Sequence, residues 1–119
     1  MIDLRRIGDL NFAVVTLPTK LDTTNAVEVR SMLSKVIDWG HYHLFLDSRS
    51  VTFLDSSGLG TLVAIFKVCR QKYGSLTLFG LSGNPALALQ LSGLDSLLLN
   101  FATEEEAITN LQVKLSCSP

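Results

Sequence analysis

At 119 residues the chain has room for one domain and little more, and with 47% hydrophobic and 18% charged residues it can bury a core, which excludes a disordered segment. Lys and Arg total 10 against 11 Asp and Glu, a formal charge of −1 that gives no electrostatic footprint for nucleic acid or an anionic membrane surface. A protein partner is compatible with that balance.

Cys69 and Cys117 lie far apart, and a disulfide framework would need more cysteines in a shorter chain, so two free thiols are expected. The N-terminus, Met1-Ile2-Asp3-Leu4-Arg5-Arg6, carries charges where a signal peptide needs an apolar run. No stretch reaches the roughly 18 consecutive apolar residues of a spanning helix. The expectation is a soluble cytoplasmic protein, spanning 1–119 as one domain.

Ile2 to Ile7 and Asn11 to Leu17 read as two strands, joined through Gly8-Asp9 as a hairpin, with Pro18 stopping the second. Asp22-Thr23-Thr24-Asn25 offers N-caps for a first helix, with Glu28 at capping-box spacing from Asn25. Ala26, Val29, Leu33, Val36 and Ile37 mark its apolar face, and Gly40 suits its end. Tyr42 to Asp47 reads as a central strand, because burial on both faces removes polar alternation.

Ser56 or Ser57 is expected to cap a second helix with Leu59, Leu62, Val63, Phe66 and Cys69 (or Val68) on its buried side, ended by Gly74. Leu76 to Phe79 is the next strand. Asn84-Pro85 opens a third helix, with proline expected at its first position, and that helix stops near Gly93. Leu97 to Phe101 is the last strand. Thr103 and Glu106 form a capping box for the last helix, whose first turn holds Glu104, Glu105 and Glu106. The order ββαβαβαβα predicts an α/β fold: a mixed sheet of about five strands with four helices, its first hairpin antiparallel and the helix-linked strands parallel.

Val51-Thr52-Phe53-Leu54-Asp55-Ser56-Ser57-Gly58-Leu59-Gly60 places two hydroxyls and a carboxylate where a loop enters a helix. Backbone N–H groups there lack partners, so a phosphate is held by hydrogen bonds and the helix dipole. A phosphoserine brings roughly −1.5 to −2 charges at neutral pH, enough to repel a docked partner without unfolding anything. Asp and Ser are also ordinary N-caps. The tetrapeptide Asp55-Ser56-Ser57-Gly58 alone does not separate the two roles.

The longer stretch Leu44-Phe45-Leu46-Asp47-Ser48-Arg49-Ser50 followed by Val51 to Gly60 closely resembles the central motif of STAS domains. Among these it is most similar to the stand-alone anti-sigma-factor antagonists of bacterial partner-switching systems. Leu21-Asp22 matches the family's leucine-aspartate pair before its first helix. Asn84-Pro85-Ala86 and Leu91-Ser92-Gly93-Leu94 match its later helix and the serine-glycine-leucine after it. The resemblance implies that Ser56, directly after the motif aspartate, is phosphorylated by an ATP-dependent serine kinase that is also the anti-sigma factor, with Ser57 as second choice. It implies that the unphosphorylated form binds that kinase and frees its client, and that a PP2C-type serine phosphatase resets the switch. Asp22 and Asp55 would flank the acceptor on a docking surface that also takes in Thr23, Ser57 and Gly58. The chain has Thr19-Lys20 where the family commonly has Gly-Glu, exchanging an acidic side chain for a basic one beside that surface.

Other readings fit less well. A hydrolase nucleophile elbow needs Gly-x-Ser-x-Gly, but Leu54 and Asp55 occupy the first glycine positions around Ser56 and Ser57. His41 and His43 precede the serines, lack acidic or cysteine partners at metal-site spacing, and are expected to be solvated. Arg49 is expected to be a solvated loop residue. No phosphate-binding Gly-x-x-x-x-Gly-Lys-Ser/Thr segment is present, so nucleotide hydrolysis is not expected, and with the hydrolase and metal readings set aside the expectation is a protein with no catalytic function, cofactor or metal. A non-switching scaffold subunit, or a partner switch with a target other than a sigma factor, is the alternative within binding proteins. Leu81, Leu97 and Leu98 are expected in the core.

Overall fold

The computed structural model describes residues 3–7 and 12–116. In chain order the elements are β1 (Asp3–Ile7), β2 (Phe12–Thr16), β3 (Lys20–Leu21), α1 (Ala26–Asp38), β4 (His43–Asp47), β5 (Phe53–Leu54) and α2 (Ser56–Gln71). They continue with β6 (Ser75–Phe79), α3 (Gly83–Leu91), a 3₁₀ turn (Leu94–Ser96), β7 (Asn100–Phe101) and α4 (Glu104–Ser116). Five strands form the main sheet in the order β1-β2-β4-β6-β7, antiparallel between β1 and β2 and parallel elsewhere. The mixed five-stranded sheet with four helices agrees with the sequence reading. The Gly8-Asp9 turn and Cys117 lie outside the described residues.

The central strands are apolar on both faces because both faces are covered. Ala13, Val15, Leu44, Leu46, Leu76 and Leu78 join a core with the buried sides of α1, α2 and α3. Phe12, Val14, Phe45 and Phe79 turn the other way, against Ala107 and Leu111 of α4. The buried face of α1 is the expected one, Ala26, Val29, Leu33, Val36 and Ile37.

A second, two-stranded parallel sheet was not foreseen: Lys20-Leu21 pairs with Phe53-Leu54. The face of α2 also differs. Its buried residues are Gly58, Thr61, Leu62, Ile65 and Cys69, while Leu59, Val63 and Phe66 are half-buried. Gly58 and Thr61 occupy the lines of closest approach to β3 and α1, and the Thr61 hydroxyl donates to the Ala26 carbonyl at 3.3 Å. A count of apolar residues does not register either contact.

Several ends differ as well. Asp55, not Ser56 or Ser57, caps α2. Asn25 precedes α1 without a side-chain cap bond, so the expected box with Glu28 is not made. At the end of α2 the left-handed residue is Tyr73 (φ 60°), and Gly74 is required for space, because a Cβ there would overlap the Tyr42 carbonyl oxygen. Ser82 stands at the N-cap position of α3 without a side-chain cap bond, which puts Pro85 at the third helical position, still among the N–H groups that need no intrahelical partner. The Thr103 hydroxyl accepts from Glu106 N–H at 3.2 Å, one half of the expected capping box; among the described residues the Glu106 carboxylate makes no return bond to Thr103 N–H.

The last strand is shorter than expected. After Gly93 (φ 78°) the chain coils into the 3₁₀ turn, so only Asn100 and Phe101 reach the sheet; Leu98 is buried but Leu97 is exposed. Leu81 is buried as expected. His43 is half-buried rather than solvated: Nδ1 lies 2.9 Å from Ser75 Oγ, the ring meets Phe12 edge-on, and burial lowers its pKa. Arg49 is exposed but not free, since it forms a bidentate pair with Asp47 at 2.7 and 2.9 Å and lies over the Phe79 ring.

Candidate functional site

The β3–β5 ladder builds the site. Pairing Leu21 with Leu54 sets the residues that follow each strand side by side: Asp22 and Thr23 after β3, Asp55 and Ser56 after β5. Asp55 N–H donates to the Leu21 carbonyl at 3.3 Å, and the Thr19 carbonyl accepts Thr52 N–H at 2.7 Å, which stitches the two segments together.

Asp55 is extended (φ −103°, ψ −173°), and its Oδ1 accepts Gly58 N–H at 3.0 Å, the bond that starts α2. Its Oδ2 accepts from Thr23 N–H at 3.2 Å and from the Thr23 hydroxyl at 3.3 Å. One carboxylate therefore caps the helix and ties the β3 segment to it. These donors, Gly58 N–H first and Thr23 next with help from Ser57 N–H, hold the Asp55 carboxyl below the usual aspartate range against a smaller opposing effect of desolvation.

The Thr23 hydroxyl also lies 3.1 Å from Ser57 Oγ, so Ser57 belongs to the same network and is half-buried. Ser56 is the first residue of the sixteen-residue α2 and is exposed; its neighbours on both sides are engaged, and the network passes it by. There is no acidic residue in the first turn of α2 after the cap.

Asp22 and Gly58 take different positions from the other residues singled out in the sequence. Asp22 Oδ1 accepts Thr24 N–H at 3.0 Å as well as the Thr24 hydroxyl, closing a turn on its own loop, while its N–H donates to Asn25 Oδ1 at 3.0 Å. Gly58 is buried: a Cβ would overlap the Leu21 carbonyl oxygen and stand 2.7 Å from Leu54 Cδ1. Glycine there lets the helix start press onto β3.

Asn25 serves the site and not only the start of α1. Its Nδ2 donates to the Lys20 carbonyl at 2.7 Å, so it braces the site's first loop. Thr19, one of the two residues that depart from the family pattern, holds the segment before β5 through its carbonyl. Two-residue strands carry no periodicity that would have revealed either role. Among the described residues no group of three or more His, Cys, Asp or Glu could hold a metal ion, and no helix is long and apolar enough to cross a membrane.

Residues 1–107 match the model of the STAS domain family. The chain belongs to that family. Its STAS domain is 29% identical over 101 residues to an anti-sigma F factor antagonist of Paenibacillus polymyxa, spanning 84% of this chain and 86% of the relative. It superposes on the unphosphorylated anti-sigma factor antagonist SpoIIAA with a TM-score of 0.78 and 25% identity, covering 94% of this chain and 96% of the other. The phosphorylated form of the Bacillus cell fate determinant SpoIIAA superposes with a TM-score of 0.70 and 26% identity, covering 93% and 99%.

Proposed function

We propose that this STAS domain is an anti-sigma-factor antagonist whose state is set by phosphorylation of Ser56. In the unphosphorylated state it binds an ATP-dependent serine kinase that is also the anti-sigma factor, and the kinase releases its client. The kinase transfers the γ-phosphoryl group of ATP to Ser56 Oγ, leaving ADP and a proton. A PP2C-type phosphatase hydrolyses the ester with water, returning inorganic phosphate and the free hydroxyl.

The observation that carries this reading is the exposed Ser56 hydroxyl at the first position of α2, set between two residues whose side chains are already engaged. A phosphate there would sit at the N-terminus of α2, where the helix dipole favours negative charge. The same charge, next to the exposed Thr23 that contacts Asp55 and Ser57, changes the surface that a partner must desolvate. The Thr23 contact on Ser57 Oγ favours Ser56 as acceptor. The names of the similar proteins support an anti-sigma factor as the partner.

The test is an intact-mass measurement on the untagged protein purified from its own cells, followed by site mapping. A fraction heavier by about 80 Da, mapped to Ser56 and missing in Ser56→Ala, is expected. Partner capture should survive Ser56→Ala, weaken in Ser56→Asp and be abolished by the phosphate. A single unmodified species under all growth conditions, in a persistent large complex, would favour the scaffold instead.

A further inference from the structure

Strand β6 is incompletely paired. Its ladder with β4 runs from Ser75 to Phe79, whereas β7 covers only Leu78 and Phe79 on the other side. Leu78 N–H donates outward to the Leu99 carbonyl and Gly80 N–H to the Phe101 carbonyl, both at 2.8 Å; Ser75 N–H donates to Tyr42, before β4, at 3.0 Å. Strand geometry alternates these directions, so Leu76 turns its N–H and carbonyl to the β7 side. No backbone partner meets them there among the described residues.

Beside Leu76, where a longer β7 would lie, is a cleft of about 540 Å³. Phe66 and Arg70 of α2 form one wall, Lys114 of α4 stands on the other, and Leu97 and Leu99 form an exposed apolar rim. Both charged residues lining the cleft are cations.

We propose that this cleft is a docking site for an extended acidic peptide segment of a partner protein, added as a strand to β6. An extended chain can satisfy both Leu76 groups, which a helix cannot. Successive side chains of an added strand face opposite sides of the sheet, so carboxylates at two adjacent positions meet Arg70 on the α2 side and Lys114 on the α4 side, and a flanking apolar side chain rests on Leu97, Leu99 and Phe66. A second copy of this chain, paired through the same edge about a two-fold axis, would bring like cations together. Arg70 lies 14 residues along α2 from Ser56, about 21 Å away, so the docking is independent of the state of Ser56.

The test titrates the ¹⁵N-labelled protein with a blocked hexapeptide holding two adjacent glutamates between pairs of valines, with a counterpart carrying lysines in place of the glutamates and a proline-interrupted version as controls. The acidic peptide should saturably shift the Leu76 amide and slow its hydrogen exchange about tenfold, and the double variant Arg70→Glu, Lys114→Glu should weaken binding about tenfold or more. Both side chains are exposed, and thermal melts of that variant and of Arg70→Gln, Lys114→Gln separate lost binding from lost folding. Ser56→Asp should bind the peptide as the parent does. Equal binding of the lysine peptide, or an unmoved Leu76 amide, overturns the proposal. So does a concentration-dependent dimer that protects Leu76 without peptide, since a second copy is then the occupant.

Discussion

The run Ser57-Gly58-Leu59-Gly60 sets two glycines two positions apart on one helix, in opposite surroundings. A methyl at Gly58 would collide with the Leu21 carbonyl and Leu54, whereas one at Gly60 meets nothing within 4 Å. Gly58→Ala should therefore lower stability by about 1–3 kcal/mol, the usual effect of overpacking. Gly60→Ala should raise it by about 0.5–1 kcal/mol, because alanine has less backbone freedom to lose on entering a helix. Urea unfolding with unchanged slopes would show the opposite signs, and a similar loss for both would contradict the packing role assigned to Gly58. The carboxylate of Asp55 makes a second residue-scale prediction. Its folded pKa lies below the ordinary 3.8, so its charged form contributes stability above that value and loses the contribution as pH falls through the folded pKa. Asp47, held down by its bond to Arg49, has the same sign. Asp55→Asn should melt lower than the parent at neutral pH, with the two curves converging as acidification protonates Asp55.

At the scale of the element, α2 distinguishes what periodicity can and cannot read. Ile65 is fully buried and Val63 is half-buried, although the apolar count favoured Val63. Ile65→Ala should cost about 2–5 kcal/mol, while Val63→Ala should cost less than half as much, with the midpoint shifts in urea as the measure. Comparable losses would return α2 to the face read from the sequence. The faces of α1 and the buried runs of β4 and β6 were legible because large apolar side chains supply their burial. The site was legible in part. Asp55 and Ser56 stand in a recognisable motif, but the bond from Thr23 to Asp55 spans 32 residues and depends on a two-residue ladder. Likewise, nothing local told Tyr73 from Gly74 as the left-handed residue, because the need for glycine at 74 comes from Tyr42 on a neighbouring segment. What remained hidden was set by close backbone approaches between distant parts of the chain.

For the whole molecule, the question is whether a phosphate at Ser56 would act on the fold or only on its surface. The main sheet is braced by α1, α2 and α3 on one face and by α4 on the other, and Ser56 is outside both cores. The bonds nearest to it are those of Asp55 and Thr23, and they use other atoms. A dianion at the first position of a helix is also favoured by the dipole, by about 0.3–1 kcal/mol at an exposed site. The phosphorylated form should therefore melt at or slightly above the temperature of the unmodified form, and hydrogen exchange in β2, β4 and β6 should be unchanged. Loss of partner binding with that unaltered exchange pattern would place the switch in local repulsion and desolvation. If phosphorylation instead lowers the melting temperature and exposes the amides of α2, the switch works by loosening the helix. The Asp55 cap would then be the part to examine, because it is the link between Ser56 and the β3 segment.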